Sequence, residues 1–351
     1  MQFDTAEVTL RSPQEHGGFY LTFIKITPQD VRPVDPLLSA PRRLSLLFLH
    51  SVAGHKEAWL PAIEHLFKLQ NAAPNNAFTI VEAWSMDAPS HGRAAILNES
   101  ILLNFPEGIT GKQWAKGAHV LLNSGLMSAD AIVGIGHSAG SCVLVESAGG
   151  FPVNRIPYST MILVEPTMMT PDILKRAFEK DTVLLRAVDV ARKRKDIWPS
   201  RAAAKDWLSK RLPWRRWDPR VLDLYIEHAL CDLPTRAYPD KEGVTLALTR
   251  TQEVGGYSHH EDGFEALAIL QKVCPVMPVH TIFGEIVDMV PAETQASNVS
   301  EAEGRNMKSI TRITGAGHLT VQEDPRGVAL AIWGILHEDY ARSLSVPAPR
   351  L

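Results

Sequence analysis

The stretch Gly136-His137-Ser138-Ala139-Gly140 carries the clearest chemical meaning in the chain. It follows the apolar run Ala131-Ile132-Val133 and leads into a helix-compatible segment, Ser141 to Ser147. A G-x-S-x-G pattern between a strand and a helix sets a serine on a sharp turn. Its glycines leave no side chain two residues away to obstruct that turn. The N–H of Ala139 then stands at a helix N-terminus, a position suited to receiving a developing oxyanion. The chemistry this permits is attack of the Ser138 hydroxyl on an acyl carbonyl.

A serine hydroxyl needs a base within hydrogen-bond reach and a third group to orient that base. Among the 13 histidines, His318 is the candidate base, because Gly315-Ala316-Gly317 precede it after the last strand-like run. Those small residues let a loop turn the imidazole back over the sheet. Two carboxyls compete for the third role on residues alone. Glu165 stands at the end of the strand-like run Thr160 to Val164, before Pro166. Asp288 follows the next core run, in Gly284-Glu285-Ile286-Val287-Asp288, one residue beyond the usual spacing from the glycine. Glu285 is a poorer third candidate. The second oxyanion donor is expected in the loop after Leu49, His50-Ser51-Val52-Ala53-Gly54, at the Val52 N–H. Asp87 and His91, in Asp87-Ala88-Pro89-Ser90-His91-Gly92, are read as fixing their loop rather than moving protons.

These residues need a scaffold that brings strand ends together. Thr5 to Leu10 and Phe19 to Ile26 alternate in polarity like an antiparallel pair around His16-Gly17-Gly18. A proline-containing linker, Thr27 to Arg43, follows. The continuous apolar run Leu44 to Leu49 marks a strand buried on both faces. Helical stretches are expected over Glu57 to Leu69, Gln113 to Asn123 and Pro325 to His337. Further strands are expected over Phe78 to Trp84, Val276 to Phe283 and Ser309 to Ile313. From Thr170 to Asp262 the pattern is helical, rich in charge and tryptophan. Strand–helix alternation on both sides of a helical block predicts an α/β fold, a mostly parallel sheet carrying a lid. The core is placed at 1–165 and 266–351, and the lid at 166–265.

The lid cations Arg192-Lys193-Arg194-Lys195 and Arg215-Arg216 flank Trp198 and Trp214. Such runs are usually a solvated helix face. The alternative is a clamp for the phosphates and adenine of a nucleotide-bearing substrate. Trp198, Trp214 and Tyr225 in the lid, with His50, Ser51 and His137 near the serine, are the candidate substrate contacts. His228, His259 and His260 are further pocket candidates.

Bulk properties narrow the class. The chain has 351 residues, 45% of them hydrophobic, enough for one large domain with an insertion, or for two domains. A net charge of −3 provides no basic field for nucleic acid. Three cysteines, Cys142, Cys231 and Cys274, have no metal-type spacing and suit a reducing compartment. No apolar run reaches the roughly 18 residues of a membrane span, and no signal-peptide pattern opens the chain. The final Pro349-Arg350-Leu351 is a weak version of a peroxisomal address, to be read by an import receptor; the cytoplasm is the other compartment. The oligomeric state is open, and a homodimer is compatible with this reading.

Several stretches together resemble one family, the fungal peroxisomal α/β-hydrolases. They are His50 with His55-Lys56-Glu57, Trp59 and Pro61; Asp87 with His91-Gly92; and Leu97-Asn98-Glu99. Trp198-Pro199-Ser200-Arg201 and Trp217-Asp218-Pro219-Arg220 are the most specific part, and Gly315 to Pro325 closes the match. The resemblance implies an α/β-hydrolase fold with a helical lid after the strand that follows the serine turn. It also implies that the acid is Glu165 and that the compartment is peroxisomal; the serine, histidine and acid chemistry itself requires no cofactor or metal. Two stretches depart from the family. Its loop reads closer to His-Ala-Asn-Gly-Phe-His-Lys-Glu than His50 to Glu57 does, and Arg93-Ala94 replaces Asp-Ser after His91-Gly92. The expected activity is a serine hydrolase cleaving an acyl-CoA thioester of a secondary metabolite or fatty acid. The alternatives are a lipase, carboxylesterase or lactonase on a hydrophobic ester, and a non-hydrolytic binding protein or cyclase on the same fold.

Overall fold

The alternating residues near the N-terminus form β1 (Phe3–Arg11) and β2 (Tyr20–Pro28), paired antiparallel with Val8 opposite Phe23. The computed structural model describes residues 3–29, 40–73, 77–179 and 183–340. Most of the expected linker and the tripeptide Pro349-Arg350-Leu351 therefore lie outside the described residues. The apolar run after the linker is β3 (Arg42–Leu49), followed by β4 (Phe78–Met86), β5 (Ala131–His137) and β6 (Tyr158–Val164). Three short strands come next: β7 (Ile197–Trp198), β8 (Leu230–Asp232) and β9 (Val244–Leu246). The last two are β10 (Val279–Gly284) and β11 (Ser309–Ile313).

Eight strands make one sheet in the order β1-β2-β4-β3-β5-β6-β10-β11. From β4 to β11 the neighbours are parallel, and β2 joins β4 antiparallel. Parallel strands covered on both faces carry near-continuous apolar runs. That matches two buried clusters on the sheet, one including Leu47, Leu49, Leu144 and Leu163, the other Leu46, Phe48, Ile135 and Ile162. Neighbouring residues of β3 thus feed opposite clusters, the period-2 rule of a strand. The architecture is the expected mostly parallel sheet flanked by helices.

Between β6 and β10 the chain leaves the sheet through the helices Pro171–Glu179, Val183–Lys193, Arg201–Ser209, Pro219–His228 and Arg250–Ser258. The block read as helical in pattern also contains strands, which that reading did not include. Strands β7, β9 and β8 form a separate antiparallel sheet, each only two or three residues long, too short for alternation to show. The expected lid end at 265 also falls inside a helix, His260–Val273, whose Ala266, Leu267 and Leu270 join the core cluster that holds Leu144 and Leu163.

A buried polar network ties the ends of β3 and β4 together. Asp87 Oδ1 accepts the Lys56 backbone N–H at 2.8 Å. Its Oδ2 accepts Thr22 Oγ1–H at 2.8 Å and Lys56 Nζ at 3.2 Å. Lys56 Nζ also reaches Glu57 Oε1 at 2.6 Å, and Glu57 Oε2 meets His55 Nδ1 at 3.0 Å. Burial alone would lower the Lys56 pKa, but the Asp87 and Glu57 carboxylates beside it raise it, so the ammonium stays charged. Removing one partner of such a pair strands the other charge. Asp87→Ala is therefore expected to cost about 3–5 kcal/mol in denaturant unfolding. A loss well under about 1 kcal/mol would show the network to be dispensable.

Candidate active site

Ser138 lies between β5 and the helix Ala139–Gly149, with φ 55° and ψ −119°. Non-glycine residues rarely hold positive φ, and such strain persists where the surroundings over-determine it. Here they do. A Cβ on Gly136 would collide with the carbonyl of Gly140, and one on Gly140 with the carbonyls of Leu49 and His50. The Ser138 N–H is tied to the Val164 carbonyl at 2.9 Å, and Ser141 Oγ caps the Gly136 carbonyl at 2.7 Å.

His318 follows β11 and stands between two of the predicted partners. Its Nε2 lies 3.0 Å from Ser138 Oγ, and its Nδ1 lies 3.1 Å from Glu165 Oε2. An ionised carboxylate only accepts, so Nδ1 carries the ring proton and Nε2 is free to accept from the serine. Glu165 has φ 49°, another positive-φ residue, with its N–H on the Ile282 carbonyl at 2.8 Å. Its second oxygen, Oε1, accepts the Gly284 N–H at 2.6 Å, so both carboxylate oxygens are used. The three residues are buried, Glu165 at 1% and Ser138 at 8% exposure.

Asp288, the alternative acid, faces the same loop but not the imidazole. Its Oδ1 accepts the backbone N–H of His318 at 2.9 Å and of Met289 at 2.7 Å. Glu285 instead accepts the Gly315 N–H at 2.8 Å near the surface.

The loop after β3 is equally specific. Gly54 N–H closes on the Ser51 carbonyl at 2.9 Å. Ala53, with φ 60°, gives its N–H to His91 Nε2 at 3.2 Å. A left-handed alanine costs about 1–2 kcal/mol, comparable to the net worth of one hydrogen bond. Among the described residues the Val52 N–H has no hydrogen-bond acceptor. The Ala139 N–H is the first of its helix and has no intrahelical acceptor. Val52 and Ala139 both line the cavity that Ser138 and His318 share.

That cavity is walled by Ile109, Trp114, Val143, Met168, Met169, Met289 and Val290, with Tyr257, His259 and His260 from the insertion and its following helix. Methionines adapt their shape, so the wall suits an apolar group without dictating its outline. Asp262 brings a carboxyl to this wall, its pKa raised by burial. Glu146 beyond it is pushed up to about 7, by burial and then by Asp262.

Several expected contacts lie elsewhere. Trp198 and Tyr225 are buried in the insertion's own apolar cluster, and Trp214 packs against it, because large rings close the small sheet instead of facing the cavity. His50 is fully buried behind the cavity wall, its Nε2 accepting the Ala88 N–H at 3.0 Å and its Nδ1–H donating to the Ser51 carbonyl at 2.7 Å. Burial holds its pKa down, to about 4, so it stays neutral as these bonds require. His137 is also kept neutral by burial, to about 3, and donates from Nε2 to the His318 carbonyl at 2.8 Å. Ser51 accepts from Gln322 Nε2 at 3.4 Å and does not line the cavity. His228 sits near Glu57 instead. The sequence reading missed Met168, Met169, Trp114 and Tyr257. Their only signal was their type, since apolar residues facing a cavity and a core look alike in one dimension.

Several cations of the insertion are paired with carboxylates. Arg194 meets Glu253 at 2.7 Å, Arg250 meets Asp196 at 2.6 Å, and Arg216 meets Glu323 at 3.1 Å. Lys195 lies 5.6 Å from the centre of the Trp207 ring and Arg211 4.1 Å from it. Among the described residues no group of three or more His, Cys, Asp or Glu is placed to share a metal ion, and no helix is long and apolar enough to cross a membrane.

Comparison with known proteins follows the same line. The sequence pattern described as "Alpha/beta hydrolase family" matches residues 46–331. The type I acyl-CoA thioesterase mpaH of Penicillium brevicompactum is 29% identical over 241 residues, covering 65% of this chain and 51% of that protein. The abhydrolase domain-containing protein AFT2-1 of Alternaria alternata is 32% identical over 126 residues, 36% of this chain and 44% of that protein. The chain spans about half the length of the curated relatives it matches. The solved peroxisomal alpha-beta-hydrolase Lpx1 of Saccharomyces cerevisiae superposes with a TM-score of 0.74 at 18% identity, covering 100% of this chain and 93% of that one.

Proposed function

From the premise that this chain belongs to the alpha/beta hydrolase family, we propose that it is a serine hydrolase of acyl thioesters working through an acyl-enzyme on Ser138. The observation that carries this is His318 within hydrogen-bond distance of both Ser138 and Glu165. His318 Nε2 takes the hydroxyl proton as Ser138 Oγ attacks the acyl carbonyl. Glu165 keeps the proton on Nδ1 and stabilises the imidazolium that forms. The N–H groups of Ala139 and Val52 bind the tetrahedral oxyanion. The leaving thiolate departs with the proton from His318, and water, activated by the same base, then frees the acid. The apolar cavity holds the acyl group.

The thioester preference is supported by the relative described as an acyl-CoA thioesterase. A second reading, a carboxylesterase on apolar esters, is favoured by the pairing of Arg194, Arg250 and Arg216 within the protein, which leaves fewer free cations for a nucleotide. Turnover of a panel of acyl-CoAs and of ethyl esters of the same acids separates them. The expected outcome is a kcat/KM for acyl-CoA at least about tenfold higher, near 1.4 kcal/mol of transition-state preference. Faster hydrolysis of the simple esters would select the carboxylesterase.

A further inference from the structure

Of the three successive N–H groups of Val52, Ala53 and Gly54 in the loop that follows β3, that of Val52 alone has no acceptor among the described residues. Gly54 N–H is consumed by the Ser51 carbonyl, and Ala53 N–H by His91 Nε2. Val52 N–H has no acceptor among the described residues, and Val52 lines the cavity with Ser138. We propose that His91 is the positioning residue of this oxyanion site: by accepting the Ala53 N–H it holds Ala53 left-handed and leaves the neighbouring Val52 N–H free at the cavity. The inference rests on Ser138 acting as the nucleophile and extends that reading to a residue outside the Ser138–His318–Glu165 chain.

The ring's surroundings allow one tautomer. With Nε2 accepting from Ala53, the ring proton sits on Nδ1, which lies 3.0 Å from Ser90 Oγ and donates to it. Burial first, and then the nearby His50, Arg194 and His55, hold the His91 pKa well below its ordinary value, so Nε2 stays an acceptor. Trp114 stacks on the ring at 6.4 Å and 21°, fixing its plane. His91 is thus already committed on both nitrogens and does not serve as a proton acceptor for substrate. Ala53 is the other half of the device. An alanine takes positive φ reluctantly, so its conformation depends on an external hold.

The test uses variants of both residues. In His91→Leu, which lacks the acceptor, kcat is expected to fall about 10- to 100-fold, somewhat less than loss of a whole oxyanion donor, with KM little changed. Affinity for an alkyl trifluoromethyl ketone, whose hemiketal oxygen occupies the oxyanion site, falls by the same factor. His91→Gln, which returns an acceptor to the Nε2 position, recovers most of both. Ala53→Gly in the His91→Leu background recovers part, because glycine takes positive φ without a hold. Ala53→Val, with His91 intact, penalises that conformation and gives the same signature, which keeps the test available if the His91 variants do not fold. Unchanged kcat and ketone affinity in His91→Leu or Ala53→Val would overturn the inference, as would a loss of KM and kcat together that Gln does not repair. Turnover surviving in Ser138→Ala would overturn the nucleophile reading, and this inference with it. A dead Ser138→Ala beside a fully active His91→Leu would overturn this inference alone.

Discussion

Ser138→Ala is expected to lower kcat by about 10⁴- to 10⁶-fold while the protein still folds and binds substrate. The magnitude follows from the route itself. Without Oγ there is no acyl-enzyme, and His318 loses the hydroxyl held 3.0 Å from its Nε2. Residual turnover would come from the oxyanion donors and the cavity acting on water. The alanine also relieves nothing, because φ 55° is held by the packing of Gly136 and Gly140 and not by the hydroxyl. Thermal unfolding is therefore expected to stay near that of the parent protein. Intact-mass detection of an acyl or fluorophosphonate adduct on the parent protein and its absence from the variant provides the check. Turnover within about tenfold of the parent would point to a pocket used without acyl-enzyme chemistry.

Glu165→Gln and Asp288→Asn form the second decisive pair. Both carboxylates touch His318, but through different atoms. Glu165 Oε2 accepts from the imidazole Nδ1, whereas Asp288 Oδ1 accepts the backbone N–H. A glutamine at 165 can present its amide N–H to Nδ1, which places the ring proton on Nε2 and removes the base from Ser138. The expected loss in kcat is about 10⁴-fold, the size found when a triad acid becomes its amide. An asparagine at 288 can still offer a carbonyl oxygen to the His318 and Met289 N–H groups. Its expected loss is about tenfold or less, a positioning effect. Abolished turnover in Asp288→Asn with a mild effect in Glu165→Gln would transfer the orienting role to Asp288.

The pair also shows where one-dimensional reasoning stops. Residues alone left Glu165 and Asp288 level, since both follow the ends of core strands. Family resemblance favoured Glu165. The separating fact is that β6 and β10 are neighbours in the sheet, with Val164 opposite Ile282. That register lets the Glu165 carboxylate reach the Gly284 N–H and the imidazole at once. The aromatic residues of the insertion taught the opposite lesson. Trp198 looked like a substrate contact because it is large and stands beside lid cations, yet it joins Tyr225 in a small core of the insertion's own. Two of the cations read as a clamp are held by carboxylates far away in sequence, Arg194 by Glu253 and Arg216 by Glu323.

By itself the sequence determined the strand–turn–helix around Ser138, the apolar strands of the parallel sheet and the glycine-rich approach to His318. Each depends on residue types within a few positions of one another, so the local pattern carries the whole physical constraint. Only the tertiary structure decided which carboxylate meets the imidazole, which histidine holds Ala53, and which apolar residues face the cavity. Those depend on residues separated by tens to hundreds of positions, such as the 153 between His318 and Glu165 and the 38 between His91 and Ala53. Their meeting is set by strand order, register and loop path, which no single stretch of the chain encodes.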